Sequence, residues 1–194
     1  MIRLSPAVVG LSRRYGAKRV LDMQAGLYAK SRQLSIAGSN NPVLQADARA
    51  AEAACAQRLG LDPLFAIDWF RTKADDGYDL QVDGLLIDVK SIPYHRNPFL
   101  KWATPHGIGF ATARFDLMIL AMGGGAEWDI LGWISKPAFH ARKEISDGSH
   151  LLAGTWYMRA ADLWPMTDFD HEFRLPRLAI RMGIQAEHVM GRWP

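Results

Sequence analysis

An α/β (α+β) fold, a mixed central β-sheet flanked by helices, is what this 194-residue chain predicts. Two observations carry that expectation. An apolar stripe of helical spacing, Leu44, Ala48, Ala51, Cys55 and Leu59, is followed by a switch to a period of two in several short runs. Those runs are punctuated by Asp83-Gly84 and Gly123-Gly-Gly125, as in a sheet built from hairpins. With 49% hydrophobic and 22% charged residues, the chain has the mixture of one globular domain with a proper core and a small appendage.

Taken in order, the pattern from about Leu11 to Gln33 is helical with interruptions at Gly16 and Gly26, and Ser35 to Asn41 reads as a connector. Residues 1–41 are thus expected to form a basic helical N-terminal extension, and residues 42–194 the main domain. Asn41-Pro42 starts a helix, with Asn at the N-cap and Pro at the first position, and Gly60 ends it. Ile67 to Thr72, Tyr78 to Val82 and Leu85 to Ile92 read as strands, and Asp83-Gly84 as a two-residue type I′ turn. Pro93 to Gly109 is a long irregular stretch; Asp116 to Met122 and Trp128 to Ile134 are further strands. Ser135 caps a short helix through Ala141, and Thr155 to Arg159 is a last strand.

One cysteine, Cys55, excludes an internal disulfide and, without a Cys/His ligand set, a zinc site. With no leader pattern and no apolar run long enough to span a bilayer, the expectation is a soluble protein of a reducing cytoplasm, without a membrane partner. The net charge of +3 is uneven: up to Asn41 there are seven basic residues against one acid, Asp22. Such a patch suits a polyanion such as DNA, or is a solvated helix face.

The stretch DLQVDGLLIDVK, residues 79–90, sets charge into an otherwise apolar hairpin. Counting outward from the turn, Val82 faces Leu85 and Asp79 faces Asp88, in a non-hydrogen-bonded pair with Cα atoms about 4.5 Å apart. Alternation sends Asp79, Gln81, Leu86, Asp88 and Lys90 to one face, and the apolar Leu80, Val82, Leu85, Ile87 and Val89 with Tyr78 to the other. Like charges directly opposite destabilise a hairpin. Either one carboxylate takes a proton, or a divalent cation binds between the two; hard oxygen donors favour Mg²⁺ or Mn²⁺. Lys90 on the same face suits activation of a water and stabilisation of a phosphorane-like transition state.

Asp79, a short turn, Asp88-Val-Lys90 and a preceding helix bearing Glu52 together resemble the PD-(D/E)xK nuclease superfamily, over roughly Pro42 to Ile134. Tyr78 stands where the motif has Pro. Gly77-Tyr-Asp-Leu and Leu131-Gly-Trp-Ile-Ser135 are similar to small phage and bacterial nucleases of that superfamily. The resemblance implies a restriction-endonuclease-like core and a Mg²⁺-dependent deoxyribonuclease, an endonuclease in a bacterial or phage-infected cell, with homodimers cutting both strands. It implies that Asp79, Asp88 and Glu52, with the Val89 backbone carbonyl, hold Mg²⁺ or Mn²⁺, and that Lys90 assists the attacking water.

Simpler readings stand beside each of these. Asp79, Asp88 and Lys90 are otherwise a salt-bridge cluster, and Glu52 a boundary residue on an Ala-rich helix, pairing with Arg49 or with solvent. Gln81, Ser91, Tyr94, His95, Arg96 and Lys101 are candidate nucleic-acid contacts, the last five in the long loop region after the catalytic strand. Asp75 and Asp76 read as turn residues. Trp102 and Trp193, outside clear strands, are candidates to stack on bases, whereas Trp69, Trp128, Trp133 and Trp156 read as core. Two other function classes remain: a non-catalytic nucleic-acid-binding or assembly module, and a carboxylate-dyad hydrolase of some other substrate.

Overall fold

The computed structural model describes residues 1–24, 41–67, 69, 77–102, 105–149 and 151–171. It is a mixed α/β fold whose main sheet has five strands in the order β1-β6-β5-β3-β2: β1 (Ile2–Arg3), β2 (Leu80–Val82), β3 (Leu85–Ile92), β5 (Leu117–Gly124) and β6 (Glu127–Ser135). Only β3 and β5 run parallel, in register from Ile87↔Leu117 to Ile92↔Met122; every other neighbour is antiparallel. A second sheet, β4-β8-β7, is made of β4 (Phe99–Trp102), β7 (Glu144–Ile145) and β8 (Trp156–Arg159).

Two cores lie on opposite faces of the main sheet. Leu117, Ile119 and Ala121 of β5 join the first, Met118 and Leu120 the second, which is why this strand is apolar without alternation. The first core is closed by α1 (Pro6–Gln24) and α2 (Pro42–Arg58), the second by the small sheet and α4 (Lys136–Arg142). Among the described residues no helix is long and apolar enough to cross a membrane.

Local chemistry explains most of the boundaries. The Asn41 side chain accepts from Val43 N at the start of α2, Gly60 takes φ +77° just beyond its end, and Ser135 caps α4 by accepting from Ala138 N. Asp83 (φ +50°) and Gly84 (φ +87°) form the expected turn, both in the left-handed region that a type I′ turn requires.

Four expectations need correction. The helix does not break at Gly16: α1 runs through it, and a Cβ there would sit 2.3 Å from the Pro42 carbonyl, so this glycine permits the close crossing of α1 over α2. Ile67 and Trp69 are not in a strand; Asp62 caps a short α3 (Pro63–Ala66), and Trp69 Nε1 donates back to Pro63 O, bending the chain. The rest of that expected strand, like Asp75, Asp76, Gly26, Trp193 and the Ser35–Asn40 connector, lies outside the described residues. The stretch 93–109 is not wholly irregular, since β4 pairs there with β8, Phe99↔Arg159 to Trp102↔Trp156. Lastly, strand β2 begins at Leu80, one residue short of Asp79.

Residues 2–24 are built into the main unit: β1 extends the sheet at β6, and Leu4 and Val8 are buried in the first core.

Candidate functional site

The hairpin register is as expected from Val82↔Leu85 to Leu80↔Ile87, and then the ladder stops. Asp79 N donates to Ile87 O (2.8 Å), which draws the backbone out of the cross-strand position opposite Asp88. Its carboxylate turns to the strand instead: Asp79 Oδ2 accepts from Val89 N at 2.7 Å. The two aspartates therefore do not form a simple opposed pair. Beyond Ile87, the side of β3 away from β5 has no strand against it among the described residues, and an aspartate rather than a backbone carbonyl meets its first amide there. Because a residue's N–H and C=O face the same side of a strand, the Val89 carbonyl points to that same open edge.

Asp88 and Lys90 are in register with Met118 and Leu120 and so project on the side of the second core, while Val89 packs against the first. α2 covers the first face, bringing Glu52 from the opposite side. The groups meet around the open edge of β3 in a pocket of about 200 Å³, lined by Glu52, Asp79, Asp88, Val89 and Lys90 together with Tyr15, Arg19, Gln45, Ala48 and Arg49. Its ionisable lining balances three carboxylates with three cations, Arg19, Arg49 and Lys90.

Each contact has a physical consequence. Lys90 Nζ donates to Asp88 Oδ1 at 2.9 Å and approaches Oδ2 to 2.7 Å without hydrogen-bond geometry, so this buried Oδ2 has no donor. The Lys90 ammonium also lies 5.1 Å from the centre of the Trp102 ring, whose Nε1 is anchored on Ile108 O. Trp102 thus forms a fixed wall behind the lysine. Glu52 is buried at 7% exposure, rather than half-exposed at the edge of the apolar stripe, and Arg49 donates to its Oε2. Arg49 is equally buried at 7%, stacks 4.1 Å from the Tyr15 ring centre, and its Nε has no acceptor. Desolvation works against its charge, but Glu52, Tyr15 and, more weakly, Asp79 outweigh it and hold the guanidinium protonated above its ordinary range. Cys55, one turn along α2 from Glu52, is wholly buried; burial, then the nearby Glu52 and Asp79 charges, pushes its thiol well up.

A hard divalent cation would suit the donor chemistry here, with the orphaned Asp88 Oδ2, the Asp79 carboxylate and the Val89 carbonyl as oxygen donors. Among the described residues no three His, Cys, Asp or Glu side chains are grouped as metal ligands, and Glu52 is engaged by Arg49. The fit is therefore to two carboxylates and a carbonyl.

Gln81, Ser91, Tyr94, His95, Arg96 and Lys101 are all exposed and do not line this pocket. His95 is tied locally, Asn97 N donating to its Nδ1 at 3.1 Å. Sequence reasoning missed Tyr15, Arg19 and Gln45, and treated Arg49 only as a local partner of Glu52. The cluster of basic residues before Asn41 was the one available signal for Arg19. No known protein family, no curated protein and no solved structure matches the chain.

Proposed function

We propose that this protein is a metal-dependent nuclease that hydrolyses DNA phosphodiesters in the cytoplasm, with a restriction-endonuclease-like core. The observation that carries the reading is the meeting of Asp79, Asp88 and Lys90 at the open edge of β3, with Glu52 reaching the same pocket from α2. Charge of this kind at the end of a hairpin, with a buried carboxylate oxygen lacking a donor, is costly unless a ligand uses it.

Asp79, Asp88 and the Val89 carbonyl are the residues that would hold Mg²⁺ or Mn²⁺; Glu52 would join them only if its pair with Arg49 opened. The bound cation supplies Lewis-acid polarisation of a phosphoryl oxygen and acidification of a water. Lys90 places its ammonium beside that site, where it orients the attacking water and stabilises negative charge growing on the phosphoryl oxygens. The water oxygen forms the new P–O bond as the ester P–O bond breaks, and a proton passes to the departing oxygen. Trp102 limits the excursions of Lys90, so the ammonium is set before substrate arrives. Two copies acting together would cut both strands of a duplex.

A second reading, a nucleic-acid-binding or assembly module, draws on the internal pairing of Lys90 with Asp88 and of Arg49 with Glu52. Metal separates the two. Purified protein is incubated with circular single-stranded and supercoiled double-stranded DNA in Mg²⁺, Mn²⁺ or EDTA, beside Asp88→Asn with its folding checked by melting. The nuclease reading expects cutting that requires metal and is lost in the variant. Salt-dependent DNA binding indifferent to metal, with no cutting of either circle, would instead favour the binding module.

A further inference from the structure

We infer that Arg19 and Arg49, clasping the ring of Tyr15, form a phosphate-binding subsite on the α1–α2 side of the same pocket, so that the basic N-terminal helix supplies half of the site. Three observations meet at this point. Arg49 is a cation more than nine-tenths buried, yet its Nε–H has no acceptor although the residue lines an open pocket. A guanidinium presents its donors as a planar fork suited to a tetrahedral oxyanion, and an idle buried donor costs stability unless a ligand takes it up. Second, Tyr15 fixes both arginines: its ring lies 4.1 Å from the Arg49 guanidinium and 5.9 Å from that of Arg19, and its hydroxyl accepts from Arg19 Nη1 at 2.8 Å. The side chains are ordered before any ligand arrives, which lowers the entropic cost of binding.

The third observation is charge. The pocket's three cations match its three carboxylates, so a divalent cation on the carboxylates would leave a surplus of two positive charges. A phosphodiester with an attacking hydroxide carries two negative ones. The arginines thus serve as counter-ions to the carboxylates until a cation takes that role, and as partners of the phosphate thereafter. That the phosphate belongs to nucleic acid rests on the nuclease reading; the anion site itself rests on Arg19, Arg49 and Tyr15.

The test is binding with Ca²⁺ in place of Mg²⁺, so that a hard cation occupies the carboxylates, with EDTA in parallel. The full chain is titrated with a 3′-labelled single-stranded oligonucleotide carrying either a 5′-hydroxyl or a 5′-phosphate, with inorganic phosphate as competitor. Arg19→Gln and Arg49→Lys are compared with wild type, the latter keeping a charge for Glu52, and urea melts confirm that both are folded. Each variant is expected to bind about tenfold more weakly, and Arg19→Gln, which removes a charge, to lower the salt slope by about 1. A 5′-phosphate preference abolished by Arg19→Gln identifies a terminal phosphate; equal weakening of both oligonucleotides identifies a diester within the strand. Affinity and salt slope unchanged in both variants would overturn the subsite, as would failure of wild type to bind either oligonucleotide or phosphate. Loss of binding in the variants of a protein that never cuts DNA would leave the subsite standing and remove the nuclease reading. Cutting by wild type with unaltered binding in the variants would do the reverse.

Discussion

Lys90 Nζ sits 2.9 Å from Asp88 Oδ1, two residues along the same face of β3, with the Trp102 indole behind it. This pairing neutralises a carboxylate whose side chain is only 12% exposed. Two consequences separate structure from chemistry. Lys90→Ala should cost about 1–3 kcal/mol, because the Asp88 carboxylate loses its donor. On the nuclease proposal it should also lower metal-dependent cleavage by a factor of about 100 or more while DNA binding is largely kept.

Mg²⁺ should raise the melting temperature of Lys90→Ala more than that of wild type, since the cation no longer competes with the ammonium for Asp88. A thermal titration with MgCl₂ reads this directly. Identical responses of the two proteins, or none, would show that Asp88 is not a metal ligand.

The buried Arg49–Glu52 pair invites a double-mutant cycle. Arg49→Met alone should destabilise by about 3–5 kcal/mol, because it leaves the Glu52 carboxylate buried without its partner. Adding Glu52→Gln should recover much of that loss, giving a coupling well above the error of urea denaturation. Simple additivity of the two changes would mean that the pair is not coupled in the folded protein.

Two glycines of α1 should respond in opposite senses to alanine. Gly16→Ala drives a Cβ into the Pro42 carbonyl and Ala46 N, 2.3 and 2.8 Å away, and should cost about 1–3 kcal/mol despite the better helix former. Gly10 has nothing within 4 Å of such a Cβ, so Gly10→Ala should stabilise by up to about 1 kcal/mol. Equal effects in urea melts would place the α1–α2 crossing elsewhere.

Cys55 offers a probe of opening. Fully buried and with its thiol held protonated by burial, it should resist thiol reagents at pH 8 in the native protein and react at once in denaturant. Rapid modification of the native protein would contradict the packing of α2.

The chain's local patterns determined the hairpin from Leu80 to Ile92, the turn at Asp83-Gly84, the caps at Asn41 and Ser135, and the placing of Asp88 and Lys90 on one strand face. Those features depend on neighbours a few residues away: a period of two, a left-handed turn, an oxygen reaching its own helix start. Only the tertiary structure decided that Asp79 leaves the ladder to cap Val89, because that depends on which amide the open edge of β3 leaves unpaired. It likewise decided that β4 finds β8 more than fifty residues on, since four residues carry too little period to name a partner. Tyr15 and Arg19 reach the pocket because Gly16 lets two helices cross closely, and a crossing is a property of two surfaces that neither helix states alone.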